Sequence, residues 1–274
     1  MSIVYRLVSW LPTTVQHLIR HLHFRYLIRS GDFLPDEPEV VEVRKYARRG
    51  DWVVDVGANA GRYTCYMSTC VGEGGRVLAF EPIMESFSLL TENVHTCGAT
   101  NVSLHNVALS SQSAVVHMSV PEDPSTRLSN YYEAHIAAAG IPVLCLTLDC
   151  LALPHAVRLI KIDAEGHDLQ VLQGALQTIQ RDRPVIIVEG WENGAVAQWL
   201  REKNYDIRKH EGSPNMVALP REWTQAAPGD TDELRRRDAH PVSGRGATGL
   251  SGLKAPTGLT TAQRGARLAQ PSAR

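Results

Sequence analysis

The sequence has little that would mark a secreted, zinc-binding or nucleic-acid-binding protein. Its 274 residues include five cysteines, Cys65, Cys70, Cys97, Cys145 and Cys150, an odd number with no C-x-x-C pair. Neither a zinc site nor a disulfide framework is indicated, and these cysteines read as small buried hydrophobes in a reducing, cytoplasmic setting. An excess of one charge is also lacking: 28 Lys and Arg stand against 29 Asp and Glu, for a formal net charge of −1. Nucleic acid is therefore not an expected partner, because its backbone selects a clearly basic protein. No stretch reaches the ~18 apolar residues of a membrane span. Pro12, His17, Arg20, His21 and His23 interrupt the apolar start, so no signal peptide is read there. The dinucleotide fingerprint G-x-G-x-x-G is missing as well, since Gly57 is followed by Asn59 and Arg62 where glycines would be needed.

What is present falls into three segments. Residues 1–50 read as an N-terminal helical segment. Within it Leu18, Leu22, Phe24, Leu27 and Ile28 interleave with Arg20, Arg25 and Arg29, and the first 30 residues contain no Asp or Glu. Such a basic amphipathic helix either packs on its own domain, the favoured reading, or makes weak contact with a membrane surface. Residues 224–274 lack Ile, Met, Cys and aromatics, and Leu and Val supply only six of them. Too little there can be buried to offset chain entropy, and the segment reads as a disordered tail.

Between them, residues 51–223 alternate. Strand-like runs at Trp52 to Val56, Arg76 to Phe80, Val102 to Val107, Pro142 to Leu148, Arg158 to Asp163 and Pro184 to Glu189 are separated by helical stretches, including one from Asp168 to Gln180. Near-continuous apolar strands alternating with helices indicate a buried parallel sheet covered on both faces. Tyr205 to His210 and Asn215 to Leu219 read as a terminal hairpin around Gly212-Ser213-Pro214. Ser113 to Val120 reads as an added strand. The loop Pro121 to Gly140, with Ser125, Thr126, Arg127, Tyr131, Tyr132 and His135, is long enough to be an acceptor-binding lid.

The chemistry-bearing residues gather at strand ends, where open α/β sheets bind ligands. Asp55-Val56-Gly57-Ala58-Asn59-Ala60-Gly61 is a strand running into a glycine-rich turn and a helix, whose free N–H groups attract an anionic or electron-rich ligand. Glu81, fixed by Pro82 at the end of the next strand, is placed to accept the hydroxyl hydrogens of a ribose. Asn106-Val107-Ala108-Leu109 follows the third strand, where an Asn is also a common turn former. In Lys161-Ile162-Asp163-Ala164-Glu165-Gly166-His167-Asp168, two carboxylates and an imidazole end a strand just before a helix that Asp168 could cap. Asp163, Glu165 and Glu189 offer no metal-ligand spacing, and no metal is expected.

As a set these motifs resemble the FkbM family of S-adenosylmethionine-dependent methyltransferases. The resemblance extends to Tyr63-Thr64, Leu146-Thr147-Leu148-Asp149, Val171-Leu172-Gln173-Gly174-Ala175 and Arg183-Pro184-Val185-Ile186-Ile187-Val188-Glu189, and covers roughly residues 35 to 210. It departs at Ala164, where the family more often has Val, and at Asp168, where it often has Glu. It implies a Rossmann-like class I methyltransferase fold: a mostly parallel seven-stranded sheet with helices on both faces and its last strand antiparallel. It further implies S-adenosyl-L-methionine as cofactor and O-methylation of a hydroxyl on a small molecule, a sugar or glycan, or a secondary metabolite. Carried over by position, Asp55, Gly57, Asn59 and Gly61 would cradle the methionine part, Glu81 the ribose, and Asn106 with Ala108 the adenine neighbourhood. Asp163 with Glu165 would face the reacting centre, and the base is assigned to the Asp163/His167 pair. An NAD-type oxidoreductase and a noncatalytic nucleoside-binding module remain the alternatives.

Overall fold

The structure is a computed structural model that describes residues 8–124 and 128–225. Of the segment read as a tail, Thr224 and Gln225 close a helix and the rest lies outside the described residues, as do Ser125, Thr126 and Arg127 of the loop. Ahead of the sheet lie α1 (Thr13–Ser30) and α2 (Val40–Tyr46), after which the elements alternate: β1 (Trp52–Val56), α3 (Arg62–Val71), β2 (Arg76–Phe80), α4 (Met84–Thr96) and β3 (Val102–His105). Four short strands follow, β4 (Ala108–Leu109), β5 (Ala114–Ser119), β6 (His135–Ala137) and β7 (Ile141–Leu146). Alternation resumes with β8 (Val157–Ile162), α5 (Asp168–Gly174), α6 (Leu176–Asp182), β9 (Val185–Glu189), α7 (Ala195–Glu202), β10 (Tyr205–Lys209), β11 (Asn215–Pro220) and α8 (Arg221–Gln225).

Seven of the strands form one sheet in the order β10-β11-β9-β8-β1-β2-β3. Only β11 runs antiparallel to its neighbours, so the expected topology, including the expected hairpin, is what forms. The central strands are buried on both faces, which is why they read as apolar runs rather than alternating ones. All six residues of β8 are buried. Along it Ile160 and Ile162 join Val54, Val56, Ile186, Leu172 and Ile179 on one face of the sheet, while Leu159 joins Val53, Val77, Ile187, Met67 and Val71 on the other. Each fully buried aliphatic side chain here contributes about 1.5–3 kcal/mol.

Two local readings are corrected. Pro142 to Leu148 is not part of the main sheet: β7 belongs to a second, four-stranded sheet ordered β4-β7-β5-β6. The expected helix from Asp168 to Gln180 is two helices that turn at Ala175. Asp149 starts the second of them separately, its carboxylate accepting from the backbone N–H of Gln177 at 2.8 Å and of Thr178 at 2.9 Å. Gly174, at the turn, sits so close to Ser110 that a Cβ would collide with the Ser110 carbonyl oxygen.

The N-terminal segment is built into this body. Phe24 and Phe33 pack with Ala60, Cys65, Leu89 and Leu90, and Val43 packs with Met67 and Val71. Glu39, wholly buried ahead of α2, accepts hydrogen bonds from Tyr63 Oη at 3.3 Å, Ser213 Oγ at 2.6 Å and Asn215 Nδ2. It thereby ties the start of the chain to the β10–β11 turn. Replacing Glu39 with Ala strands three buried donors, and each unsatisfied buried group costs about 1–3 kcal/mol. A loss of at least that size is expected in urea unfolding of Glu39→Ala, with the slope against denaturant unchanged.

Candidate active site

Strand order reverses at β1, whose neighbours are β2 on one side and β8 on the other, and the crevice at such a switch point is where these sheets bind ligands. A cleft of about 1050 Å³, its open mouth included, lies there. Its floor comes from the ends of β1, β2 and β8 through Val56, Gly57, Phe80, Glu81, Lys161 and Asp163. Its walls come from the second sheet and the expected lid through Ala108, Met118, Tyr131, Tyr132 and Ile136.

Gly57 makes the floor possible. It adopts φ +73°, and a Cβ at this position would collide with the carbonyl oxygen of Asp163. Any side chain would push the β1 and β8 tips apart, so the glycine is needed both for its backbone angle and for the close approach. Asn59 follows at φ 46°; its backbone N–H donates to Glu81 Oε2 at 2.9 Å, while its own Oδ1 is buried without a hydrogen-bond partner. Glu81 also accepts from Ile83 N at 2.8 Å through its other oxygen. Burial nonetheless pushes its carboxyl up to about 7.

Asp55, Gly61 and Asn106 stand back from the cleft. Asp55 is fully buried and accepts from Thr64 Oγ1 at 2.5 Å. Asn106 donates through Nδ2 to the carbonyls of Glu81 at 2.9 Å and Pro82 at 3.0 Å, bracing the turn that holds Glu81. Ala108, read as following the third strand, lies instead on β4 of the second sheet and lines the cleft.

The opposite side carries Asp163, Glu165 and His167, all lining the cleft. Glu165 takes a left-handed φ of 47°, a costly conformation for a residue with a side chain. Its partial burial, with Asp163, Glu189, Asp168 and Glu133 nearby, pushes its carboxyl up to about 7. Burial lowers the His167 imidazole below its ordinary value, against the opposing pull of Asp168. The His167 Nε2 lies 2.7 Å from Ser110 Oγ, so the serine hydroxyl occupies one of its ring nitrogens. Asp168 accepts from Ala164 N at 3.1 Å and closes the loop on itself.

Lys161 is the site residue to which sequence reasoning assigned no role. It faces Asp55 across the β1–β8 register and Asp163 two residues along its own strand, and its Nζ lies 2.9 Å from Asp163 Oδ2 and 4.8 Å from the centre of the Tyr63 ring. Burial opposes its charge, but Asp163 and Asp55 outweigh that and hold its pKa above the ordinary lysine value. The signal was available: a lysine inside the apolar run Leu159-Ile160-Lys161-Ile162 is buried only if it is paired.

The strand order, the switch-point cleft and the carboxylates at its strand ends define the class I, Rossmann-like methyltransferase fold. Residues 55–207 match the model of the methyltransferase FkbM domain. The chain belongs to the FkbM methyltransferase family. It is 31% identical over 162 residues to the hexuronic acid methyltransferase AglP of Haloferax volcanii, an alignment that takes in 58% of this chain and 64% of that protein. The chain thus spans a little under two thirds of the length of this relative. Among solved structures it resembles methyltransferase FkbM from Methylobacillus flagellatus, at 15% identity and a TM-score of 0.46 over 74% of this chain and 60% of that one. It also resembles a methyltransferase from Geobacter sulfurreducens, at 12% identity and a TM-score of 0.45 over 76% of this chain and 89% of that one.

Proposed function

We propose that this chain is an S-adenosylmethionine-dependent methyltransferase that methylates a hydroxyl of a sugar or glycan. The observation that carries the reading is the two-sided cleft: a nucleoside-type cradle of Gly57, Asn59 and Glu81 faces Asp163, Glu165 and His167 across a single floor. The residues suit the cofactor. Gly57 lets the β1 and β8 tips close into one floor for the cofactor, and the unpartnered Asn59 Oδ1 lacks a donor such as a cofactor amino group or hydroxyl would bring. When bound, S-adenosylmethionine supplies an electrophilic methyl group on a sulfonium sulfur.

The chain's own residues then have three tasks. The apolar walls, Met118, Ile136 and the Tyr131 ring, exclude water from the reacting centre. Asp163, held by Lys161 through one oxygen, accepts a hydrogen bond from the acceptor hydroxyl and orients it. Glu165, near neutrality, takes the proton as the hydroxyl attacks, since a base works best with a pKa close to the operating pH. We assign the base to Glu165 in preference to the Asp163/His167 pair, since Ser110 engages one ring nitrogen of His167. The sugar class is supported by the name of the Haloferax relative, and the choice of a hydroxyl by the charge of the cleft. Among the described residues its cations, Lys161 and Arg62, are each held by a carboxylate, Asp163 and Asp36 respectively. At the reacting side the carboxylates Asp163 and Glu165 accept hydrogen bonds, and hydroxyls supply them.

The test is a thermal-shift panel followed by a transfer assay. S-adenosylhomocysteine at a hundredfold its Kd is expected to raise Tm by about 5–10 °C and NAD to leave it unchanged; a folded protein indifferent to S-adenosyl ligands would refute the reading. Labelled S-adenosylmethionine with glycoside acceptors then reports transfer. Two pH effects accompany it. Ribose hydroxyls donate to the ionised form of Glu81, so binding requires that form. Below its pKa of about 7 the affinity for S-adenosylhomocysteine falls about tenfold per pH unit, a slope that calorimetry should find absent in Glu81→Gln. Glu165 must also be ionised to accept a proton, so kcat rises with pH through about 7, and Glu165→Gln lowers kcat about 10²-fold or more while flattening that rise.

A further inference from the structure

Helix α1 has two apolar faces, where the sequence suggested one. At about 100° per residue, His17, Arg20, His21, Phe24, Leu27 and Ile28 share one side. That side meets the protein: Phe24 packs on Phe33, His21 pairs with Glu92 of α4, and His17 and Arg20 lie against the Tyr131 ring at the cleft. The favoured reading of this helix, packing on its own domain, therefore holds for this face.

Val15, Leu18, Ile19, Leu22 and Tyr26 fall on the other side, within an arc of about 120° that also contains Arg25 and Arg29. Leu18 is 57% exposed, Leu22 55% and Tyr26 66%, and Trp10, just ahead of the helix, is 89% exposed. Single exposed leucines are ordinary, but an aligned stripe of them marks a docking face. Its charge is one-sided, since the first 30 residues hold arginines and histidines and no Asp or Glu. A second copy would bring the same uniformly basic helix against itself, whereas an anionic surface complements it. No described helix is long and apolar enough to cross a membrane.

We propose that this face of α1 lies on an anionic phospholipid bilayer, with Leu18 and Leu22 at the acyl boundary, the Trp10 and Tyr26 rings at headgroup level, and Arg25 and Arg29 on the lipid phosphates. The opposite face of the same helix touches Tyr131, so one helix diameter, about 10 Å, separates the membrane from the wall of the cleft.

Flotation of the full chain with vesicles tests this independently of any methyl transfer. The chain is expected to float with vesicles of phosphatidylglycerol mixed equally with phosphatidylcholine. Pure phosphatidylcholine should retain at least about tenfold less, given the two arginines. The double variant Leu18→Ser/Leu22→Ser should lower partitioning onto the anionic vesicles by about tenfold or more. Arg25→Gln/Arg29→Gln should erase the preference for the anionic vesicles. The leucine variant alters exposed side chains and should keep the parental Tm; Arg25 Nη1 also lies 3.9 Å from Glu92 Oε1 of α4, an exposed pair worth about 0.2–1 kcal/mol, so the arginine variant should stay within about 4 °C of the parental Tm. The proposal is overturned if the chain stays unbound, if the leucine variant binds as the parent does, or if light scattering without lipid shows a dimer that the leucine variant dissolves.

Discussion

Replacing Asp163 with Asn should reduce kcat by about 10³-fold or more while leaving the S-adenosylhomocysteine thermal shift intact. The geometry separates the two readouts. The groups proposed to hold the cofactor are Gly57, Asn59 and Glu81, and what Asp163 itself lends to the floor is its backbone, which the substitution keeps. What is lost is the charged acceptor that aligns the hydroxyl. Misalignment of a reacting group accounts for losses of this order. Single-turnover kinetics with a glycoside acceptor would check it. Transfer at near-parental rates with normal binding would remove Asp163 from the chemistry, and loss of the thermal shift would reassign it to cofactor binding.

The second large effect is expected on stability. Lys161 is the cation between Asp55, which is fully buried, and Asp163, and Asp55 Oδ1 has no hydrogen-bond partner. Lys161→Met keeps much of the side-chain volume and removes the charge. Breaking a buried pair by deleting one partner costs about 3–5 kcal/mol, which for a body of this size lowers Tm by about 10 °C or more. Burial already raises the Asp55 carboxyl above the usual range, and without Lys161 it would rise further. The folded state would then bind more protons than the unfolded one, so the deficit should shrink as pH falls. Adding Asp55→Asn should restore part of the loss, and calorimetry of the two single variants and the double variant measures that coupling. Additive losses would mean that the pair contributes nothing as a pair.

How much of this was legible in the sequence depended on burial. Strands β1, β2, β8 and β9 lie between two helical layers, and an apolar run such as Leu159 to Ile162 announces that directly. The second sheet was harder to see. Strand β4 is two residues long, and β7 exposes alternate residues, so neither carries the signal of a central strand. The individual strand-end residues were readable as motifs, and Gly57, Asn59, Glu81, Ala108, Asp163, Glu165 and His167 do meet at one cleft. Their partners were not readable. The facing of Asp55 and Lys161 depends on parallel register, the left-handed backbone at Glu165 on how its loop closes, and the engagement of His167 on a serine 57 residues away. The double face of α1 was hidden because two apolar stripes on opposite sides cancel in any one-sided pattern.

The buried Glu39 carboxylate also orders events in time. Two of its partners, Ser213 and Asn215, lie 174 and 176 residues downstream. At the roughly 5–20 residues per second of synthesis, they are made some 10–35 s after Glu39 itself. Until then Tyr63, whose ring flanks Lys161, lacks the completed network behind it. The nascent chain can thus form its central strands early, yet the wall behind its reacting centre is secured only when the terminal hairpin arrives.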